Sequence, residues 1–200
     1  MSKLRLVLWT AVAVALVGVG FLALAPSRVT SIPFLVAPEA DGVQARFELT
    51  DQNGMVQTRD EFRGRWMLIF FGFTNCPDIC PTGLATISAA MDNLGADREQ
   101  VQPIFVTVDP SRDTPSRLKE YLAFFDPAIV GLGGTDTQLE RTAGAFKIYY
   151  ERVEDEGAPD GYTMGHAPNL LLFDDEGVFV RTFDRNATPS EVADDLRGRI

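Results

Sequence analysis

Residues 65–95 read RWMLIFFGFTNCPDICPTGLATISAAMDNLG. The stretch 65–73 is a near-continuous apolar run of strand length, the mark of a strand buried on both faces. From Pro81 the period changes. Leu84, Ile87, Ala90, Met91 and Leu94 fall at helical spacing, and Gly95 stands where a helix stops. A buried strand leading through a short loop into an amphipathic helix opens an α/β alternation.

The alternation continues outward in both directions. VQPIFVTVD (101–109) is a second buried strand. TPSRLKEYLAFF begins a helix, with Thr114 as N-cap and Pro115 at the first helical position. DTQLERTAGAF (136–146) is a third helix, with a short strand before it. PNLLLFDDEGVFVRTF (168–183) reads as strand, turn and strand. In TPSEVADDLRGRI, Thr188 and Glu191 have capping-box spacing. Upstream, ARFELTDQNGMVQT (45–58) alternates about Asn53-Gly54, a hairpin signal. Together these segments predict an α/β domain, a mainly parallel central sheet flanked by helices, with antiparallel pairing at one edge.

The N-terminus has a different composition. Lys3 and Arg5 precede LVLWTAVAVALVGVGFLALA, which is apolar except for Thr10. About 20 helical residues cross roughly 30 Å, the thickness of a bilayer core. A signal peptide has a shorter apolar region, and Pro26 would follow the A-x-A site at Ala23–Ala25. The expectation is one uncleaved transmembrane helix within an anchor over residues 1–28. The basic flank keeps the N-terminus cytoplasmic and the domain outside. Residues 29–42, rich in proline, read as a linker, and 43–200 as the domain. Three basic residues and no acid fall in the first 30. The remaining 15 basic residues face 28 acids, a net charge of −13. That balance argues against nucleic acid and anionic headgroups as partners and suits a basic face.

Cys76 and Cys80 are the only cysteines. Each precedes a proline, Pro77 or Pro81, and a residue before proline is biased away from the helical region. Both are therefore expected on the loop rather than in the helix, at the carboxyl end of a strand, where open α/β sheets bind ligands. Three uses fit two thiols there. A structural disulfide would close a very short loop and stabilise by on the order of 2 kcal/mol or less. A redox couple more often has C-x-x-C spacing, though one extra residue does not forbid it. A soft-metal site of two thiolates and one more donor suits copper(I), whereas zinc wants four. The single histidine, His166, follows a polar insertion (151–165) and is expected at the mouth of a parallel strand, facing the cysteine loop.

FFGFTNCPDICP, VTVDPSRDTPSRLKEY and the His166 region followed by LLLFDDEG, in that order behind a membrane anchor, resemble the Sco family, also called SenC. These are thioredoxin-fold proteins of copper delivery to cytochrome c oxidase, and the likeness covers roughly residues 43–197. It implies a thioredoxin-like sheet and a copper ion held by Cys76, Cys80 and His166. It implies a metallochaperone rather than a turnover enzyme, delivering copper to the dinuclear centre of oxidase subunit II. The setting would be the inner (cytoplasmic) membrane, with the domain on the periplasmic side. The alternative is a thiol–disulfide oxidoreductase whose Cys76 and Cys80 thiols reduce that centre's cysteines before metallation, becoming a Cys76–Cys80 disulfide. A peroxiredoxin pattern fails, because Thr74 lies two rather than three residues before Cys76.

The chain departs from the family at Asn75, often histidine, and at Gly165, often aspartate. Pro168 matches the place of the cis-proline in thioredoxin-like oxidoreductases and supports the redox alternative. Asp109 and Asp78 are candidate outer-shell groups, against turn-capping and solvated-loop readings. Met164 offers a thioether, against a packing role.

Overall fold

The structure, a computed structural model, describes residues 42–200. A seven-stranded sheet forms its centre. In chain order its strands are β1 (Glu48–Asp51), β2 (Val56–Thr58), β3 (Trp66–Gly72), β4 (Val101–Thr107), β5 (Val130–Gly133), β8 (Leu170–Phe173) and β9 (Phe179–Phe183). Across the sheet the order is β2-β1-β5-β4-β3-β8-β9. β3, β4 and β5 are parallel; β1, β2, β8 and β9 join antiparallel. β6 (Tyr150–Glu154) and β7 (Tyr162–His166) form a separate two-stranded hairpin. The helices are α1 (Ile79–Leu94), α2 (Pro115–Leu122), α3 (Asp136–Phe146) and α4 (Pro189–Arg197).

The apolar run at 66–72 occupies the middle of the sheet because it has no polar face to offer water. Met67 through Phe71 are buried, as is all of β4. Their parallel register runs from Trp66↔Val101 to Gly72↔Thr107, so both strands end level. α1 buries Leu84, Ile87, Ala90, Met91 and Leu94 and packs against α4. The expected caps are present. Thr114 accepts the amide of Arg117, Thr188 and Glu191 form a capping box, and Gly95 ends α1 at φ 61°. The Asn53-Gly54 turn joins β1 to β2, with Asp51 Oδ1 accepting the amides of Asn53 and Met55.

Two expectations change. Cys80 lies in the first turn of α1, which starts at Ile79 rather than Pro81. The first helical N–H groups have no intrahelical partner, so Pro81 as the third helical residue forfeits no bond. The amide of Cys80 is taken instead by Cys76 Sγ at 3.3 Å. The polar insertion at 151–165 is an ordered hairpin ending at His166, and the strand that follows, β8, is antiparallel to β3. The anchor expected over 1–28 and the linker over 29–42, Gly42 apart, lie outside the described residues. Among the described residues no helix is long and apolar enough to cross a membrane.

The carboxylate of Asp113 ties the strand ends together. It accepts the amide of Thr74 (2.9 Å) and the hydroxyls of Thr74 (2.6 Å) and Thr107 (2.6 Å). All three residues are buried. Burial raises the Asp113 pKa, with the three donors opposing. A raised folded-state pKa gives a contribution to stability that is full below the unfolded carboxylate value of about 3.9. It is lost as pH rises through the folded value. Asp113→Ala strands three buried donors and should cost roughly 2–4 kcal/mol in chemical denaturation. The gap between wild type and variant should be wider at pH 4.5 than at pH 7; the opposite trend would contradict this assignment.

Candidate metal centre

β3 ends at Gly72, and the chain turns through Phe73, Thr74 and Asn75 into Cys76. Asp113 fixes this turn at Thr74, and the amide of Cys76 reaches the Phe73 carbonyl at 3.3 Å. α1 then carries Cys80 back beneath it. A Cβ at Gly72 would lie 2.8 Å from Cys80 Sγ and 2.7 Å from the Phe105 ring. Only glycine lets the buried thiol seat against the end of β3. Gly83 similarly makes room for the Phe70 ring, 2.8 Å from its would-be Cβ.

His166 arrives from the other side, at the end of β7. Its ring stands edge-on to Phe73, with centroids 5.8 Å apart at 89°, and 6.4 Å from Phe70. Nε2 is 3.5 Å from Cys80 Sγ. Nδ1 is buried without a hydrogen-bond partner. The ligand atoms of Cys76, Cys80 and His166 all lie within 4.8 Å of one another, and neither cysteine is in a disulfide. A cleft of about 330 Å³ opens over Cys76 and His166, walled by Phe73, Pro77, Ile79 and Met164.

The sulfurs differ electrostatically. The Cys80 thiol donates to Cys76 and holds its pKa down to about 4; burial opposes, and the imidazole and the Cys80 and Asp78 amides assist. The amide of Cys80 belongs to the first turn of α1, where backbone dipoles favour an anion. Cys80 is pushed far up by the same thiol bond, by burial and by the charge on Cys76. The pair therefore holds one proton, on the buried sulfur, and half-buried Cys76 is the thiolate.

The other candidates take different places. Asp109 is buried but faces the hairpin, where it bonds Arg112, Ser111 Oγ (2.8 Å) and Tyr162 OH (3.1 Å). Asp78 is the exposed N-cap residue of α1 and lines the cleft rim, with its Oδ1 3.5 Å from the Thr82 hydroxyl. Asn75 Oδ1 lies 3.5 Å from Arg117 Nη2. At Gly165 a Cβ would meet Glu151 Cγ at 3.2 Å. No cis peptide bond occurs among the described residues, so Pro168 lacks the feature expected of it. Met164 shares the cleft with Cys76 and His166. Gly72 went unread as a site residue, although a glycine within a strand pattern signals close approach. Nothing in the spacing pointed to Arg112 or Tyr162.

A central sheet with two thiols at the end of β3, one on the turn and one in the first turn of α1, and an imidazole over them defines a thioredoxin-like protein with a thiolate–imidazole centre. The chain belongs to the SCO1/SenC family, whose model matches residues 36–200. It is 40% identical over 152 residues to the SCO2-like protein of Rickettsia felis, covering 76% of this chain and 74% of that one. Among solved structures it is similar to Bradyrhizobium japonicum ScoI with copper bound. That match has 40% identity and a TM-score of 0.72, over 78% of this chain and 99% of that one. Yeast Sco1 with copper bound matches at 33% identity and a TM-score of 0.70, over 78% and 87% of the two chains.

The proton arrangement has a direct consequence. Alkylation of Cys76 by iodoacetamide, followed by peptide mass spectrometry, should titrate with a midpoint near 4 rather than at the ordinary thiol value of about 8.5. Cys80→Ala removes the donor and should move the midpoint upward. A wild-type midpoint above 8 would remove the shared proton.

Proposed function

We propose that this chain is a membrane-anchored copper-binding metallochaperone, holding copper through Cys76, Cys80 and His166 and delivering it to the dinuclear copper centre of cytochrome c oxidase subunit II. The observation that carries the reading is the donor set: two sulfurs and one imidazole nitrogen within 4.8 Å, at an apolar cleft. That set suits copper(I), which accepts two or three soft ligands. Among the described residues no fourth His, Cys, Asp or Glu joins the group, as tetrahedral zinc would require. The copper-bound relatives support the same cargo.

The residues divide the work. Cys76 presents a formed thiolate at the cleft. Cys80 must give up its proton when it takes up metal, so binding releases acid. Phe73, Pro77, Ile79 and Met164 limit water at the sulfurs. The open side of the cleft lets a partner's thiols replace these donors one at a time. The apolar N-terminal run would hold the chain in the inner membrane by a single pass, with the domain on the periplasmic side. The acidic domain suits an acceptor with a basic face and disfavours nucleic acid.

The asymmetry of the sulfurs also favours a second reading, a thiol–disulfide oxidoreductase. The Cys76 thiolate would attack a partner disulfide and release one partner thiolate, which takes up a proton. Cys80, deprotonated, would then attack Cys76 Sγ and free the second partner thiol. The partner is reduced, this pair becomes a disulfide, and a dithiol reductant must reset it.

Copper(I) titration of the reduced protein against a strong chelator tests the donor set. Wild type should retain one equivalent, and Cys76→Ser and Cys80→Ser should retain none. His166→Ala should bind more weakly while both thiols can still form a disulfide. Full affinity in His166→Ala, with slowed thiol exchange, would instead favour the oxidoreductase. Recovery of the whole chain in the soluble fraction after cell lysis would remove the anchor.

A further inference from the structure

The three donors rest on supports of unequal firmness. Cys80 is sealed into the core against Gly72 and Phe105, and the Cys76 turn is fixed by Asp113. His166 belongs to β7, which pairs with β6 and not with the central sheet. A lone two-stranded hairpin is marginally stable in water. A separate set of contacts must therefore fix this arm.

Tyr162 provides the attachment. It opens β7 four residues before His166, on the same face of the strand. Its hydroxyl bonds Asp109 Oδ1 at 3.1 Å and Ser111 Oγ at 2.9 Å. Its ring lies within reach of two guanidinium groups, Arg112 at 3.8 Å and Arg152 at 3.6 Å from the centroid. Arg112 Nη1 also donates to the Tyr162 carbonyl (3.2 Å), where β7 leaves the loop, and to the Pro159 carbonyl (3.1 Å), within the loop of the hairpin. Asp109 holds Arg112 from below through Nε. The same guanidinium stands 5.9 Å from the centroid of Phe73, the ring that His166 meets edge-on. One largely buried cation thus joins the loop after β4, the hairpin and the aromatic wall of the site.

We propose that Arg112, held by Asp109, is a positioning residue that clamps the β6–β7 arm through Tyr162 and so decides whether the His166 imidazole stands at the thiol pair. The proposal rests on the three-donor copper reading. Arg112 fits the task because a planar guanidinium both stacks on an aromatic ring and forks between carbonyls, which an ammonium does not do. Its Nη2 is buried without a partner, a cost that the closed arm carries and that opening relieves. Release of the clamp would withdraw one of the donors while both sulfurs stay in place. A metal left on two thiolates is more open to an acceptor's ligands.

The test is a double-mutant cycle on the full chain, read by copper(I) competition titration. Arg112→Lys keeps the charge, and Tyr162→Phe keeps the stacked ring while losing the hydroxyl bonds. Each should weaken copper binding by about tenfold, the scale of an outer-shell loss. In a His166→Ala background neither should change affinity by more than about twofold, because the arm then carries no donor. Equal losses in both backgrounds would make the effect structural and overturn the proposal. A His166→Ala chain that binds as tightly as wild type would instead overturn the three-donor reading. A metal-free readout is independent of both. Amide hydrogen exchange at 162–166 should accelerate in either variant while β3 and β4 keep their protection. Unchanged exchange in the hairpin would also overturn the clamp.

Discussion

The buried carboxylate of Asp113 is the contact on which the geometry of the site depends. β3 and β4 end level, at Gly72 and Thr107, and from there the chain leaves the sheet in two directions. Asp113 gathers Thr74 from one departure and Thr107 from the other, and stands one residue before the Thr114 cap of α2. A charged group is costly in such a place unless its lone pairs are met. Here three donors meet them. The cost of moving the cysteine turn is therefore the cost of uncovering that carboxylate.

From this anchor the site grows asymmetrically. Cys80 has no room to retreat, because Phe105 and the bare backbone of Gly72 close the space behind it. Cys76 sits half in solvent at the N-terminus of α1 and takes the negative charge. A single proton between the two serves either chemistry open to the pair. For metal capture, one thiolate is ready and the second is released on binding. For exchange, one sulfur attacks and the other waits protonated. The same feature keeps a chaperone and a reductant close together in mechanism, and the imidazole is what separates them.

That imidazole is the movable part. The sulfurs belong to the parallel core, whereas His166 belongs to a hairpin outside the sheet, attached through Tyr162, Arg112 and Asp109. Under the chaperone reading, a site that both holds and surrenders a soft metal gains from this division. The sulfurs stay with the core, and the imidazole is carried by a hairpin that pairs with no strand of the central sheet.

Much of this was legible in the chain. The period switch between 65–73 and 81–95 identified the buried strand and the helix after it, because burial on both faces and burial on one stripe leave different patterns. Threonine and glycine marked the helix ends at Thr114, Thr188 and Gly95, because their backbone chemistry is local. The thiols and the histidine stood out as scarce, chemistry-bearing residues. Proximity was not legible. Cys80 and His166 are 86 residues apart, and only folding brings their ligand atoms to 3.5 Å. The proline rule misplaced Cys80, because it weighs one backbone torsion and not the sulfur that caps the helix. Asp109 read as a group for the thiols but serves the hairpin instead, since a carboxylate's partners depend on which loop lies across from it. The sequence by itself determined the elements, their order and the donors, all of which follow from local pattern. Only the tertiary structure decided which donors meet, which sulfur keeps the proton and which donor is carried outside the central sheet, because those depend on contacts between segments distant along the chain.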